Sequence, residues 1–274
     1  MKAIGLIIVV LVGALLFYST QDFPIWGDPN SPASTHIATY HLEKAYEETS
    51  VPNVVTAVLA DYRGFDTMFE TGVIFCAGLG CFVLLRLFRK RDDDSYYRHV
   101  STGITLHIKR GRIPDASSEF ERIDTLWTPY DLIVKNVCRI LAPFVQLFAL
   151  YVIAHGHYSP GGGFQGGVIL GASVILIAIS HDMRTALGRI GEKTIHILMA
   201  VGVLIYSGVG ALCMLLGTNF LDYASLSKIL FTNEIQARSL GILFVEVGVG
   251  ITVMAVMISI YNNLSSDGRQ DEGL

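Results

Sequence analysis

Long apolar runs, separated by shorter polar stretches, dominate the pattern of this 274-residue chain. Each run extends over roughly 17–25 residues, the length that a helix needs to cross a hydrocarbon layer about 30 Å thick. We therefore expect an all-α, polytopic membrane protein with about six transmembrane helices and short extracytoplasmic and cytoplasmic segments. The predicted spans are residues 3–19, 68–88, 134–154, 164–180, 195–216 and 240–261.

The first apolar run also has the length of a signal peptide. The residues that follow it, TQDFPIW, lack a cleavage site of small residues, so we expect an uncleaved anchor. Composition agrees with a membrane protein, because only 16% of the residues are charged, against about a quarter in soluble domains. The net charge of −4 gives no reason to expect a nucleic-acid partner.

Lysine and arginine are distributed unevenly among the polar segments. If both termini are cytoplasmic, the cytoplasmic segments hold 16 of the 20 Lys and Arg residues. Cytoplasmic loops carry such an excess, so we expect a multi-pass protein of the cell (inner) membrane with both termini in the cytoplasm. The loop between the third and fourth spans then lies on the outer side.

The composition changes between the second and third spans. Residues 91–130 contain charged runs and a β-leaning patch, STGITLHIK, and we predict that they form a cytoplasmic linker. This division gives a front module, residues 1–90, with two transmembrane helices. Residues 131–274 form a second module with four.

The stretch HGHYSPGGGFQGG, residues 155–167, separates the third and fourth spans. A phosphate-binding loop is disfavoured because the stretch has no lysine and lies between membrane helices. His155 and His157 would lie on opposite faces of a helix, which disfavours a metal site. A haem bound by these two residues with His181 and His196 is a further alternative, but we expect no metal and no cofactor.

A structural role for this loop fits its composition better. A proline ends a helix, and the glycines after it permit positive φ angles and a close approach of the backbone. Glycines at every fourth position of the fourth span also form a ridge on which a neighbouring helix packs closely. The residues assigned to the turn and the ridge are Pro160, Gly161, Gly162, Gly163, Phe164, Gly167 and Gly171.

Carboxylates in apolar surroundings are the candidates for ion transport, because an ionisable group at membrane depth is costly and tends to mark an ion path. Glu246 lies inside the sixth span, and Glu70 lies one helical turn after Asp66 at the start of the second. The alternatives are a solvated salt-bridge cap, with Arg63 paired to Asp66, and a Glu246 that reaches outward to the interface. The full set of ion- or proton-path candidates is Glu70, Glu246, Asp66, Asp61, Arg63, His155 and His157.

Two parts of the sequence resemble known families. HGHYSPGGGFQGGVILGA, followed by two spans and LFVEVGVG, resembles the B-type subunit (MnhB/MrpB) of the Mrp-type multisubunit Na⁺/H⁺ antiporters over about residues 130–262. Family members generally have Asp where this chain has Glu246. NVVTAVLADYRGFDTMFETGVIF, within about residues 50–88, is similar to the small E-type subunit of membrane-bound energy-converting hydrogenases. That subunit is the counterpart of the C-terminal part of the large A-type antiporter subunit. Tyr62, Met68 and Phe69 depart from that family's pattern.

The two resemblances imply a fusion of modules that lie side by side in such complexes. They imply a non-catalytic membrane subunit, not itself an enzyme, of a monovalent cation (Na⁺)/proton antiporter, which contributes to ion translocation and assembly. The implied partners are other membrane subunits, Na⁺ and H⁺ as transported ions, and the lipid bilayer. Two alternatives remain: a membrane-arm subunit of a redox-driven pump of the hydrogenase or complex I type, and a purely structural scaffold.

Overall fold

The computed structural model describes residues 2–87, 95–108, 119–123, 132–181, 183–266 and 268. Within these residues, six helices are long and apolar enough to cross a membrane, which confirms the predicted all-α membrane fold. They are α1 (Lys2–Ser19), α4 (Gly64–Leu87), α5 (Leu132–Ala154), α6 (Gly163–Ser180), α8 (Glu192–Leu215) and α10 (Glu234–Ser265).

Short elements connect these helices. They are α2 (Ala38–Thr49), α3 (Val54–Ala57), α7 (Met183–Arg189) and α9 (Ser227–Leu230), with π-helical turns at Ala33–Ile37 and Val58–Tyr62 and 3₁₀ turns at Thr20–Asp22 and Tyr223–Leu226. The apolar segment before Asp61 is too short to span a membrane. In the structure it forms α3 and the π-helical turn Val58–Tyr62, directly before α4.

Two helices extend well beyond their predicted ends. We predicted the sixth span over residues 240–261, whereas α10 begins at Glu234 and ends at Ser265. The second span was expected to begin at residue 68, whereas α4 begins at Gly64. In both cases polar residues continue the helix past the apolar run, where hydropathy alone gives no signal.

The chain divides into two compact units, residues 1–45 and 46–274. The first unit contains α1, whose described side chains are all exposed, and most of α2. A helix that is apolar all round, without a polar face, is typical of a membrane span.

In the second unit, α10 is the central helix and packs against α4, α5, α6 and α8. Its buried side chains join α6 and α8 in one apolar cluster: Val174, Ile195, Met199, Ala255, Val256 and Ile258. The polar residues Thr252, Ser259, Asn262 and Asn263 are also buried along α10. The helix α10, which is the most buried of the spans, therefore carries buried polar side chains as well as apolar ones.

Glycines set the close helix packing around α10. A methyl group on Gly167 would lie 2.7 Å from the carbonyl oxygen of Gly250, and one on Gly171 would lie 3.2 Å from that of Met254. On the opposite side, Gly202 of α8 meets Gly248, where an added methyl group would lie 2.8 Å from the Gly202 carbonyl. Such small-residue contacts let helix backbones approach where lipid supplies no hydrophobic driving force.

Part of the predicted linker forms a small antiparallel sheet with strand order β2-β1-β3. The strands are β1 (Ser95–His99), β2 (Thr105–Ile108) and β3 (Phe120–Ile123). The sequence indicated only the patch that contains β2, because β1 and β3 are short and lack an alternating apolar pattern. The charged run at 89–94 and the segment 124–131 lie outside the described residues.

Candidate functional site

Glu246 lies twelve residues after the start of α10, which is about 18 Å along the helix axis. This is about three turns from the helix start, against the two turns that a start at residue 240 implied, because the largely polar segment 234–239 extends the helix. The residue is partly buried, and its Oε2 atom is buried without a hydrogen-bond partner among the described residues. The backbone amide of Gly163, the first residue of α6, donates to the carboxylate.

The glycine-rich loop encloses this carboxylate. A methyl group on Gly162 would lie 2.8 Å from Glu246 Oε1, and one on Gly156 would lie 2.7 Å from Oε2. At Gly163 an added methyl group would collide with the Glu246 backbone carbonyl. Glycine at these three positions therefore leaves room for Glu246, and at Gly162 the positive φ of 126° also favours glycine.

The N-terminus of α6 faces the carboxylate. Gly162 precedes the helix and has no side chain to cap its free amide groups. The positive end of a helix dipole favours an anion, so the carboxylate of Glu246 takes the place of the missing cap.

Two residues of the front module hold the loop. The Asn53 Nδ2 atom lies 3.0 Å from the Gly156 carbonyl oxygen and 2.8 Å from that of Ser159. Thr56 donates its hydroxyl to the same Gly156 oxygen over 2.9 Å, and the Asn53 amide donates to the His157 carbonyl over 2.9 Å. Non-helical backbone at membrane depth persists only where such partners satisfy it.

The two histidines of the loop have different surroundings. The buried His157 donates from Nε2 to the Ser239 carbonyl oxygen over 3.0 Å. Burial lowers the pKa of His157 below its usual 6.5, against the Ser239 hydrogen bond, which raises it. His155 instead stacks between Tyr151 and Tyr158, with ring centroids 4.8 and 5.4 Å apart. The two rings are not brought to a common ligand.

A second polar cluster joins the front module to α10. Arg238 contacts Asp61 at 3.0 Å and Asp222 at 3.3 Å. Burial raises the pKa of Asp61, and the neighbouring Arg238 guanidinium lowers it, with burial the larger effect. Arg238 therefore compensates a carboxylate whose side chain is only 6% exposed.

Two buried tyrosines anchor the same segment. Tyr206 of α8 donates to the Gly64 carbonyl oxygen, and Tyr223 donates to that of Ala60, both over 2.9 Å. Burial raises the pKa of Tyr223 far above its usual value, so the hydroxyl stays protonated and donates. The π-helical turn is thus bound at its middle residue, and α4 is bound at its first residue.

Arg63, Asp66 and Glu70 lie on the exposed side of this segment. Arg63 Nε donates to Asp66 over 2.6 Å, and both side chains are more than half exposed. A cavity of about 370 Å³ lies between residues 61–66 and Phe220–Leu221. Glu70 is exposed on α4 and is not brought together with Glu246 by a contact among the described residues.

Several of these residues escaped the sequence analysis. Asn53, Thr56, Tyr206, Tyr223 and Arg238 are ordinary polar residues at helix ends or in apolar runs, and no local pattern singles them out. Each of them has at least one hydrogen-bond partner that lies 100 or more residues away. The sequence indicated Glu246 and the glycine loop separately. It gave no sign that the two are in contact.

Within the residues that the structure describes, no three His, Cys, Asp or Glu side chains gather as they do around a metal ion. The chemistry that the arrangement offers is that of a single carboxylate inside a membrane span. Burial disfavours its charged form, whereas the helix end and the Gly163 amide favour it. Such a group can exchange a proton or pair with a cation.

Six helices that are long and apolar enough to cross a membrane, with α10 packed against four of the others, define a multi-pass membrane protein. The family model for "Domain related to MnhB subunit of Na+/H+ antiporter" matches residues 133–259, and the MbhE model, which describes a subunit of MBH, matches residues 3–98. The mnhB2 protein of Staphylococcus aureus, named as a putative antiporter subunit, is 32% identical over 130 residues, which are 45% of this chain and 92% of that protein. The chain therefore belongs to the MnhB family of antiporter subunits, fused to an MbhE-type module.

Two relatives match both modules. A protein of Rhizobium meliloti (strain 1021), named as the A/B subunit of a probable K(+)/H(+) antiporter, is 31% identical over 201 residues, which are 71% of this chain. The chain spans only 19% of that relative's length. An uncharacterized protein of Methanocaldococcus jannaschii is 26% identical over 89% of this chain and 84% of its own length.

Two solved structures share the fold. A chain of the membrane-bound sulfane sulfur reductase (MBS), an archaeal respiratory membrane complex, has a TM-score of 0.60 at 21% identity, with coverage of 96% of this chain and 97% of that one. A chain of the Mrp complex from Dietzia sp. DQ12-45-1b has a TM-score of 0.57 at 23% identity, with coverage of 99% and 26%. Both chains belong to complexes, and at these identities the likeness shows a shared fold.

Proposed function

We propose that this protein is a membrane subunit of a monovalent cation/proton antiporter, in which Glu246 exchanges protons or pairs with the transported cation. The observation that carries this proposal is the Glu246 carboxylate, enclosed by Gly156 and Gly162 and facing the N-terminus of α6. Relatives that match one or both modules are named as antiporter subunits. The contribution of this chain is accordingly to ion passage and assembly.

Glu70 supports a dependence on neighbouring subunits. It is exposed on α4, six residues after the helix begins, among exposed apolar side chains such as Phe69 and Val73. A carboxylate that faced lipid at this depth would be costly, so a polar or basic group of a neighbouring subunit is expected to cover it. Asp66 and Arg63, beside the cavity at the N-terminal end of α4, extend the proposed ion path toward Asp61.

The proposed orientation puts both termini in the cytoplasm of a cell (inner) membrane and the glycine loop on the outer side. It rests on the excess of Lys and Arg in the segments assigned to the cytoplasm. Single cysteines at Ser159 and Gly188, in a chain without its native cysteines, test it with a membrane-impermeant thiol reagent. We expect labelling of intact cells at position 159 only, and the reverse pattern would overturn the orientation.

Cation-driven proton movement in membrane vesicles tests the transport function. Vesicles from cells that express the complete complex should dissipate an imposed pH gradient when Na⁺ or K⁺ is added, and vesicles without this chain should not. Comparison of the two cations identifies the coupling ion. An unchanged response in vesicles that lack the chain would contradict the proposal.

A redox-driven pump is the second candidate, and the fold match to nearly the whole of one chain of a respiratory complex favours it. Proteins that copurify in mild detergent separate the two candidates. Subunits that bind nickel, iron–sulfur clusters or NADH would indicate a redox-driven pump. A set of membrane subunits without them would indicate a separate antiporter.

A scaffold that moves no ions is the third candidate, and the ridge of Gly163, Gly167 and Gly171 against α10 favours it. Gly167→Leu should then reduce assembly, whereas transport per assembled complex stays unchanged. Gly208→Leu on α8 is the matched control, because an added methyl group there meets no atom within 4 Å. Loss of transport in a Gly167→Leu complex that assembles normally would count against the scaffold.

A further inference from the structure

The loop that encloses Glu246 is held by hydrogen bonds from the front module. The Gly156 carbonyl oxygen accepts from Asn53 Nδ2 at 3.0 Å and from the Thr56 hydroxyl at 2.9 Å. The α-carbon of the same residue lies beside the carboxylate, because a methyl group on it would lie 2.7 Å from Glu246 Oε2. One residue thus contacts the front module through its carbonyl and the carboxylate through its α-carbon.

We infer that Asn53 and Thr56 are positioning residues for Glu246, which set its proton exchange by holding the Gly156 carbonyl oxygen away from the carboxylate. This inference rests on the proposed role of Glu246 in ion transport. Through these two donors the front module positions a carboxylate of the second module, since both donors precede α4 and the loop follows α5.

The physical reason is the acceptor character of a carbonyl oxygen. Oε2 is buried and has no hydrogen-bond partner among the described residues. A Gly156 carbonyl released by its two donors can turn toward Oε2, accept a hydrogen bond from the protonated carboxyl group and repel the ionised form. Loss of the donors therefore favours the protonated form of Glu246.

The other titratable groups around Glu246 are few. The α6 segment Gly163–Ser180 contains no Asp, Glu, His, Lys, Arg, Tyr or Cys. Tyr206 of α8 lies within electrostatic reach of the carboxylate, and its hydroxyl is bound to the Gly64 carbonyl oxygen. His157 of the loop is bound to Ser239 of α10, and Tyr151 of α5 stacks on His155. None of these bonds involves Asn53 or Thr56 side chains.

Three variants separate donation from folding. Thr56→Val keeps the shape of the side chain and removes the donor, whereas Thr56→Ser keeps the donor. Asn53→Ser retains a side chain that caps α3, as the Asn53 oxygen does for the Val55 amide over 3.1 Å, but is too short to reach the loop. Val55→Ala, at an exposed position of the same helix, is the neutral control.

The experiment measures the pH dependence of cation-driven proton exchange in vesicles that contain the assembled complex, normalised to the amount of this chain. In Asn53→Ser/Thr56→Val we expect the midpoint to move toward alkaline pH by about half to one unit, a roughly three- to tenfold change in proton binding. Thr56→Ser keeps the donor and should have the wild-type midpoint. The control Val55→Ala should have the wild-type midpoint as well.

A spectroscopic readout accompanies transport. The infrared carbonyl band of the protonated Glu246 side chain is the one that disappears in Glu246→Gln. We expect this band to move to lower frequency in the double variant, because the released Gly156 carbonyl accepts its proton. If the double variant does not assemble, Thr56→Val and Thr56→Ser are compared by the same two criteria.

The inference is overturned if the donor-free variant keeps both the wild-type midpoint and the wild-type band. Transport that persists in Glu246→Gln would instead overturn the proposed function, and the infrared band would still decide the positioning role. Glu246→Gln could abolish transport while the Thr56 and Asn53 variants keep the wild-type midpoint and band. That result would support the proposed function and show that Asn53 and Thr56 have no positioning role.

Discussion

Gly162 is constrained both by its backbone conformation and by its contact with the Glu246 carboxylate. Its φ of 126° and ψ of −163° lie in a region that is essentially restricted to glycine. A side chain there would also lie 2.8 Å from Glu246 Oε1. Both conformation and contact therefore require glycine.

We expect Gly162→Ala to destabilise the protein by about 1–3 kcal/mol from backbone strain alone, and to reduce transport per assembled complex because the carboxylate is displaced. Gly217→Ala is the matched control, since Gly217 also has a positive φ, of 87°, but no atom within 4 Å of an added methyl group. Thermal unfolding in detergent and vesicle transport measure the two effects. Equal losses of transport in both variants would contradict the role given to the contact.

His157 gives the stability of the loop a dependence on pH. Because burial lowers the pKa of the folded-state His157 below 6.5, the unfolded chain binds the proton more readily between the two values. The contribution of His157 to stability is then fully present above about pH 6.5 and is lost as the pH falls toward the folded-state pKa.

The wild-type protein should accordingly unfold at a lower temperature as the pH falls below about 6.5, and His157→Asn should reduce this dependence. Thermal unfolding of the full chain in detergent between about pH 5 and 8 measures the difference. The same slope in both proteins would show that His157 does not titrate on unfolding in this range.

Single residues also show what the sequence alone predicts. Glu246 and the glycines of residues 161–163 were identifiable because a carboxylate in an apolar run and a glycine cluster are unusual locally. Asn53 and Thr56 were not, because donors to a loop carbonyl 100 or more residues away have no local signature. The functional assignments remain predictions for all seven ion-path candidates: Glu70, Glu246, Asp66, Asp61, Arg63, His155 and His157.

At the scale of elements, the segment before α4 is fixed to α10 by an ion pair of unequal partners. The Asp61 side chain is 6% exposed and that of Arg238 is 32% exposed. Arg238 has a second acidic partner in Asp222 at 3.3 Å. Asp61 therefore depends on Arg238 for charge compensation more than Arg238 depends on Asp61.

Arg238→Gln should destabilise the full chain more than Asp61→Asn does. Removal of the arginine leaves a buried carboxylate uncompensated, which costs about 3–5 kcal/mol, whereas Arg238 without Asp61 keeps Asp222 and contact with water. Asp61→Asn/Arg238→Gln should recover part of the loss. Denaturant unfolding in detergent micelles provides the measurement, and an equal or larger cost for Asp61→Asn would contradict this account.

The elements differ in how well hydropathy predicts them. The six spans follow from apolar runs of sufficient length, and the structure contains them. The ends of α10 and the strands β1 and β3 do not follow, because polar helix turns and short charged strands lack an apolar pattern. The ridge on α6 was visible as Gly163, Gly167 and Gly171, but the Gly202–Gly248 contact depends on which helices are neighbours.

At the scale of the whole molecule, several buried polar contacts join the second module to residues 53–64 of the front module. Asn53 and Thr56 bind the loop, Asp61 binds Arg238, and Ala60 and Gly64 bind the two buried tyrosines. Relatives such as the Staphylococcus aureus protein match only the second module.

The central claim is that ion exchange by the assembled complex depends on the Glu246 carboxylate, and Glu246→Gln tests it most directly. The measurement is cation-driven proton movement in vesicles, with the amount of assembled complex determined in the same preparation. We predict normal assembly, since glutamine occupies the same volume, and transport reduced to the level of vesicles without the chain. Wild-type transport by an assembled Glu246→Gln complex would contradict the claim.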